Sequence, residues 1–214
     1  MKRIKLVCFD VGGTLVYDHR SKYEKAKFLE KYGVQKNINI EKIRAETFDK
    51  KVHQDIDKVI ISYMENIKVK MNKEEFFKKF KKDTLNYHRR LRCYKESKSV
   101  LINLREKGYK IAFITNWNQY ARDHFEIIGL TKYANHMVIS AEHGKRKPHL
   151  SLFKKVLRIF KVKPSEALMI GDKYEKDYLP AKSIGMHALL INRKHKRTKK
   201  SINNLKQVLG YLSK

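Results

Sequence analysis

Asp10 ends an apolar run, Ile4-Lys5-Leu6-Val7-Cys8-Phe9, and is followed at once by Gly12-Gly13-Thr14-Leu15. A lone carboxylate closing a buried strand against a glycine turn is placed to act as a nucleophile or a metal ligand. Far downstream a second apolar run, Ala167-Leu168-Met169-Ile170, ends in Gly171-Asp172, with Asp177 five residues further on. In a parallel α/β sheet the C-terminal ends of such strands gather in one crevice, where ligands bind. The two strand ends therefore define the chemistry, and what is missing beside the first decides how good that chemistry is.

Four segments resemble the motifs of the haloacid dehalogenase superfamily, most of whose members are Mg²⁺-dependent phosphatases. The first motif usually reads Asp-x-Asp-Gly-Thr; here it reads Asp10-Val11-Gly12-Gly13-Thr14. The second, an apolar strand ending in Thr or Ser, is matched by Ile111-Ala112-Phe113-Ile114-Thr115-Asn116, and the third by Lys147 before Pro148. Gly171, Asp172 and Asp177 match the fourth. After the proline the family often has Asp-Pro, where this chain has His149-Leu150; His149 reads as a helix-start residue.

The resemblance implies a role for each position. Asp10 would be the nucleophile, giving an aspartyl-phosphate and splitting one hard displacement into two easier ones. Mg²⁺ suits the repulsion between two anions, because it takes hard oxygen ligands and keeps several waters. Asp10, Asp172 and the backbone carbonyl of Gly12 would hold it, with Asp177 either carrying a metal water or orienting Lys147. Lys147 would neutralise Asp10 and a phosphate oxygen. Thr115, with the amides of Asn116 and Trp117 at the start of the next helix, would bind phosphate, unless Thr115 is only a helix cap. Gly13 and Thr14 would shape the turn that approaches the phosphoryl group.

One position departs from the family. Its phosphatases carry a second Asp two residues after the nucleophile, which protonates the leaving alkoxide and then activates water. Gly12 stands there and has no side chain to move a proton. A positioned acid–base group contributes roughly 10²–10⁴-fold, so the deficit is large unless Asp18, His19 or another residue substitutes. The leading expectation is a Mg²⁺-dependent hydrolase of small phosphomonoesters. The alternatives are a metal-independent dehalogenase or C–P hydrolase, disfavoured by the Gly171-Asp172 motif, and a non-catalytic phosphate- or nucleic-acid-binding protein.

The elements that must position these residues can be read from the breakers. No Gly or Pro occurs between Gly33 and Gly108, and the segment is rich in Lys, Glu, Ile and Phe, so it reads as helices. Val52, Ile56, Val59, Ile60, Tyr63 and Ile67 recur at helical spacing, as do Phe76, Phe80, Tyr87 and Leu91 behind an Asn72 cap with Glu75 at its third position. An earlier amphipathic stretch, Tyr23 to Tyr32, ends at Gly33. After Cys93 strands and helices alternate: helix 96–107, strand 110–114, helix 118–128, strand 137–140, helix 149–160, strand 167–171, helix 177–184, strand 187–191 and helix 202–212. Such alternation implies right-handed crossovers and a buried parallel sheet. The expected architecture is α/β: a Rossmann-like parallel sheet flanked by helices, built from 1–17 and 94–214, with a helical cap at 18–93.

Composition bounds the rest. Two cysteines, Cys8 and Cys93, make no disulfide framework, which fits a reduced cytoplasmic compartment. The apolar stretch after the basic start is too short for a signal-peptide core, and no run approaches membrane-spanning length. Fifty Lys and Arg against 22 acids give a formal charge of +28, which suggests affinity for polyanions. The basic residues are scattered through every segment without aromatic interleaving, the pattern of a lysine-rich solvated surface. The densest cluster runs from Arg193 to Lys200. Nucleic acid stays open as a partner, and part of the charge would steer an anionic substrate.

Overall fold

A computed structural model describes residues 4–19, 55–67, 71–193 and 200–213. Val52, the stretch from Tyr23 to Gly33 and basic positions 194–199 lie outside the described residues. In chain order the elements are β1 (Leu6–Phe9), β2 (Val16–Asp18), α1 (Ile56–Asn66), α2 (Lys73–Leu85), β3 (Leu91–Cys93), α3 (Ser97–Glu106), β4 (Lys110–Thr115), α4 (Ala121–Ile127), β5 (His136–Ile139), α5 (Ser140–His143), α6 (Leu150–Phe160), β6 (Ala167–Gly171), α7 (Leu179–Ser183), β7 (His187–Ile191), β8 (Ser201–Ile202) and α8 (Gln207–Leu212).

Six strands form one parallel sheet in the order β5-β4-β1-β6-β7-β8. Its strands read as continuous apolar runs because both faces are covered. Successive residues alternate between two cores. Val7, Phe9, Ile111, Phe113, Leu168 and Ile170 join one, while Leu6, Cys8, Ala112, Ile114, Ala167 and Met169 join the other. Val100, Leu101 and Leu104 of α3 close the first face, and Leu152, Phe153, Val156 and Leu157 of α6 the second. Both cysteines are free, and burial pushes the Cys8 thiol far above its ordinary pKa, so it is inert packing.

The register decides where side chains emerge. Phe9 lies beside Phe113 on one flank and Ile170 on the other. Asp10, Thr115 and Asp172 therefore leave the sheet at the same edge. The helical insert departs and returns through a short antiparallel pair, β2 with β3, in which Val16 faces Cys93 and Asp18 faces Leu91. Helices α1 and α2 share a small core of Val59, Ile60, Tyr63, Ile67 and Phe76. Asn72 caps α2 as expected, accepting from the Glu74 and Glu75 N–H groups at 2.9 and 3.2 Å.

Several expected elements differ from the structure. Helix α2 stops at Leu85, capped by Asn86, so Tyr87 enters a 3₁₀ turn and Leu91 a strand. Both pack against the sheet rather than the helical insert. The helix expected from 118 begins at Ala121, the one expected from 177 begins at Leu179 behind a π-helical turn, Tyr174–Tyr178, and the last helix begins at Gln207 after strand β8. Among the described residues, no helix is long and apolar enough to cross a membrane.

Candidate active site

Asp10 continues the pairing of β1, donating its N–H to Ile170 O at 2.8 Å, and its carboxyl is almost fully buried. The chain then folds back on itself, with Val11 O accepting N–H groups from Thr14, Leu15 and Val16. Gly13 sits at φ +82°, and a Cβ there would lie 2.6 Å from Asp172 Oδ2. Only glycine combines that backbone with so close a carboxylate. Gly13 donates its N–H to Val16 O, and Thr14 Oγ1 lies 3.4 Å from Asp10 Oδ2, so both residues shape the turn.

Lys147 is buried and donates from Nζ to Asp10 Oδ1 at 2.7 Å and to Asp177 Oδ1 at 2.5 Å. Its loop is held by Asn116: Lys147 N–H donates to Asn116 Oδ1 at 2.7 Å, and Asn116 Nδ2 to Lys147 O at 3.0 Å. The Lys147-Pro148 bond that follows is cis. Asp177 gives its second oxygen to the Lys173 N–H at 3.0 Å. The π-helical turn brings it in so tightly that a Cβ on Gly171 would meet the Asp177 carboxyl at 2.3 Å. Asp172, half-buried, pairs with Lys173 Nζ at 2.9 Å.

Three carboxylates thus crowd one buried ammonium. The Asp10 carboxyl is pushed up to about 7, by burial first of all, with Asp177 and Asp172 adding to the rise and Lys147 opposing it. Burial opposes the charge on Lys147, but Asp10 and Asp177 outweigh it and hold its pKa above the usual lysine value. Carboxylate oxygens of Asp10, Asp172 and Asp177 lie within 4.8 Å of one another. These are all hard oxygen donors, a set that fits Mg²⁺.

The cleft over this cluster has a volume of about 180 Å³. Thr115 Oγ1 is buried without a hydrogen-bond partner among the described residues. It caps no helix, since α4 begins six residues later and the intervening Trp117 N–H donates to Ser140 Oγ at 3.0 Å. Trp117 therefore does not open a helix with a spare amide, and the Asn116 side chain clamps the Lys147 loop. His149 is a helix cap, accepting from the Ser151 N–H. Asp18 sits on β2, and the His19 ring lies 2.9 Å from Arg90 O; neither lines the cleft.

The sequence points to the Trp117 amide but not to its ring. A Cβ on Gly12 would lie 3.1 Å from its ring, so the indole fills the space that a side chain at position 12 would need. Phe125 packs edge-on against that ring at 5.0 Å and fixes it. Three cations also line the cleft beyond Lys147, namely Arg146, Lys173 and Lys176. The lysines adjoin Asp172 and Asp177 in sequence, a signal that their neighbours' roles overshadow. Arg193, first of the basic cluster, is an internal tie: it donates to Thr14 O at 2.8 Å, pairs with Glu96 and lies 3.5 Å over the Tyr94 ring.

Residues 7–191 match a family model described as haloacid dehalogenase-like hydrolase. Over 91 residues the chain is 38% identical to a glyceraldehyde 3-phosphate phosphatase of Pyrococcus abyssi, covering 42% of this chain and 38% of that protein. It is 34% identical over 106 residues to a phosphoserine phosphatase of Thermus thermophilus, covering 49% and 43% respectively. These alignments span less than half of either relative. Among solved structures, a HAD phosphatase from Thermococcus onnurineus superposes with a TM-score of 0.68 at 24% identity, over 98% of each chain. A 2-haloacid dehalogenase from Pseudomonas syringae does so at 0.69 and 21%, also over 98% of each. At these identities the likeness is one of fold.

Proposed function

The chain belongs to the haloacid dehalogenase-like hydrolase family, and on that premise we propose that it hydrolyses small phosphomonoesters with Mg²⁺, through an aspartyl-phosphate on Asp10. The observation that carries this reading is the convergence of four features at one strand edge. Asp10 is held by Lys147 at 2.7 Å, the Thr115 hydroxyl has no partner among the described residues, and Asp172 and Asp177 complete an acidic cluster. The phosphatase names of the two relatives agree with it.

Asp10 attacks phosphorus, the bond to the leaving oxygen breaks, and that oxygen takes a proton. Water then cleaves the acyl phosphate, releasing phosphate and restoring the carboxylate. Asp10, Asp172 and the Gly12 carbonyl would hold the ion, with Asp177 in the same cluster, and Mg²⁺ when bound neutralises charge on the phosphoryl oxygens. Lys147 balances the Asp10 carboxylate and a phosphoryl oxygen from the other side. Thr115 donates its hydroxyl to phosphate. Asn116, Gly13 and Thr14 keep the Lys147 loop and the nucleophile turn in place. The helical insert would act as a cap that closes over the cleft and excludes water.

Phosphate release from p-nitrophenyl phosphate and from an alkyl phosphate, with Mg²⁺ or chelator, tests this on the parent and on Asp10→Asn. The expected result is Mg²⁺-dependent aryl turnover that chelation and Asp10→Asn abolish. Alkyl turnover is expected to be slower by about 10² or more, because position 12 supplies no proton. Turnover that survives in Asp10→Asn would overturn the mechanism.

A further inference from the structure

Three cations at the mouth of the cleft have no part in the chemistry at phosphorus. Arg146 directly precedes Lys147 in the loop that Asn116 holds. Lys173 precedes the π-helical turn, and Lys176 lies within it. The Lys147–Asp177 contact at 2.5 Å draws these two segments together. It pulls Asp177 inward, and Arg146, Lys173 and Lys176 line the same cleft.

We propose that these cations bind a second anionic group, so that the preferred substrate is a short phosphomonoester whose leaving group carries a carboxylate or another phosphate. The identity of the first anion rests on the phosphohydrolase reading. The charges point the same way. The cleft is lined by three carboxylates and four cations. Lys147 is taken up by Asp10 and Asp177, and Lys173 by Asp172. Lys176 is exposed and has no carboxylate partner among the described residues. Among the lining cations it is therefore Lys176 that is left unanswered. A divalent ion, when bound, offsets the phosphate dianion, and a singly charged carboxylate answers Lys176.

Size sets the chain length. At about 180 Å³ the cleft lies below the roughly 300–1,000 Å³ of pockets for drug-sized ligands. It suits a phosphoryl group and a few carbons.

The test compares three esters of one chain length: propyl phosphate, the phosphate ester of 3-hydroxypropanoate, and propane-1,3-diol bisphosphate. The charged esters are expected to exceed propyl phosphate in kcat/KM by about tenfold. That ratio is expected to fall toward one in the double variant Arg146→Gln with Lys176→Gln, and in high salt. It is expected to persist in Lys110→Gln, which removes an exposed cation from the opposite end of β4. Whichever charged ester leads identifies the second group. A ratio near one in the parent overturns the proposal, as does a ratio unmoved by the double variant or moved equally by Lys110→Gln.

Turnover of p-nitrophenyl phosphate, measured alongside, keeps the two readings apart. If no ester turns over, the phosphohydrolase reading has failed. Calorimetry of the same three compounds in Mg²⁺ then decides the second site by itself. Tighter binding of the charged pair, lost in the double variant, supports it, and equal binding of all three overturns it.

Discussion

At the scale of single residues, the position that sets the chemistry apart is Gly12. The sequence shows that no side chain is there, and the structure shows what took its place. The Trp117 ring leaves a Cβ at position 12 only 3.1 Å of separation, closer than an unstrained contact, so a carboxylate added there must move the indole or point elsewhere. Gly12→Asp alone is therefore expected to leave alkyl-phosphate turnover unchanged. Combining it with Trp117→Leu is expected to raise alkyl relative to aryl turnover by about tenfold or more. A rise in the single variant would show that the ring yields freely. Asp10 and Asp172 stand out in the sequence because each closes an apolar run beside glycine. The Trp117 ring does not, because its contact with Gly12 joins two loops distant in sequence. For Asn116 the sequence suggests a backbone amide near phosphate; its side chain has a second part, facing a peptide of the Lys147 loop, a pairing that only the fold creates.

At the scale of elements, the turn after β6 is the part most sensitive to a single atom. A Cβ on Gly171 would meet the Asp177 carboxyl at 2.3 Å. Gly171→Ala must push the π-helical turn outward and take Asp177 away from Lys147. The expected outcome is a fall of tenfold or more in kcat with p-nitrophenyl phosphate, and a loss of about 1–3 kcal/mol in stability from overpacking. A kcat within twofold of the parent would show that Asp177 has no part in holding Lys147. The five longer strands were readable because sheets covered on both faces need continuous apolar runs. The pair β2 and β3 has three residues in each strand and β8 only two, too few for any periodicity to emerge. The π-helical turn lies mostly ahead of the helix expected at 177–184, since its spacing follows the Asp177 contacts and not an apolar stripe.

At the scale of the whole molecule, one ion pair links regions that the sequence keeps far apart. Arg193, after β7, pairs with Glu96 ahead of α3 and bonds the nucleophile turn at Thr14 O. Burial alone would raise the Glu96 carboxyl, but Arg193 and backbone N–H groups hold it below the ordinary value. A depressed carboxyl contributes stability that is present above the unfolded value of about 4.3 and is lost as pH falls through the lower folded value. Denaturation followed across that acid range is therefore expected to be less steep with pH in Glu96→Gln than in the parent. Equal slopes would mean that the pair carries no pH-linked stability. The sequence placed Arg193 in a surface cluster because a basic run hides the one member that turns inward. The strands β2 and β3 pair where the helical insert leaves and returns, β2 running across the expected 17/18 boundary and β3 ending at the expected 93/94 one.

The central place of β1 also governs how the chain can be made. Phe9 finds its neighbours in Phe113 and Ile170, so the strand that ends in Asp10 is made before both of the strands that flank it. During synthesis an apolar segment near the N-terminus waits with an open hydrogen-bonding edge until β6 has been translated, long after β4 has arrived. Long-range parallel pairing of this kind is slow and leaves its edges open to association with other chains. A nascent chain halted before Ala167 would hold Asp10 on a strand with one neighbour and no Asp172 opposite. Asp172 thus reaches Asp10 only when β6 takes its place beside β1.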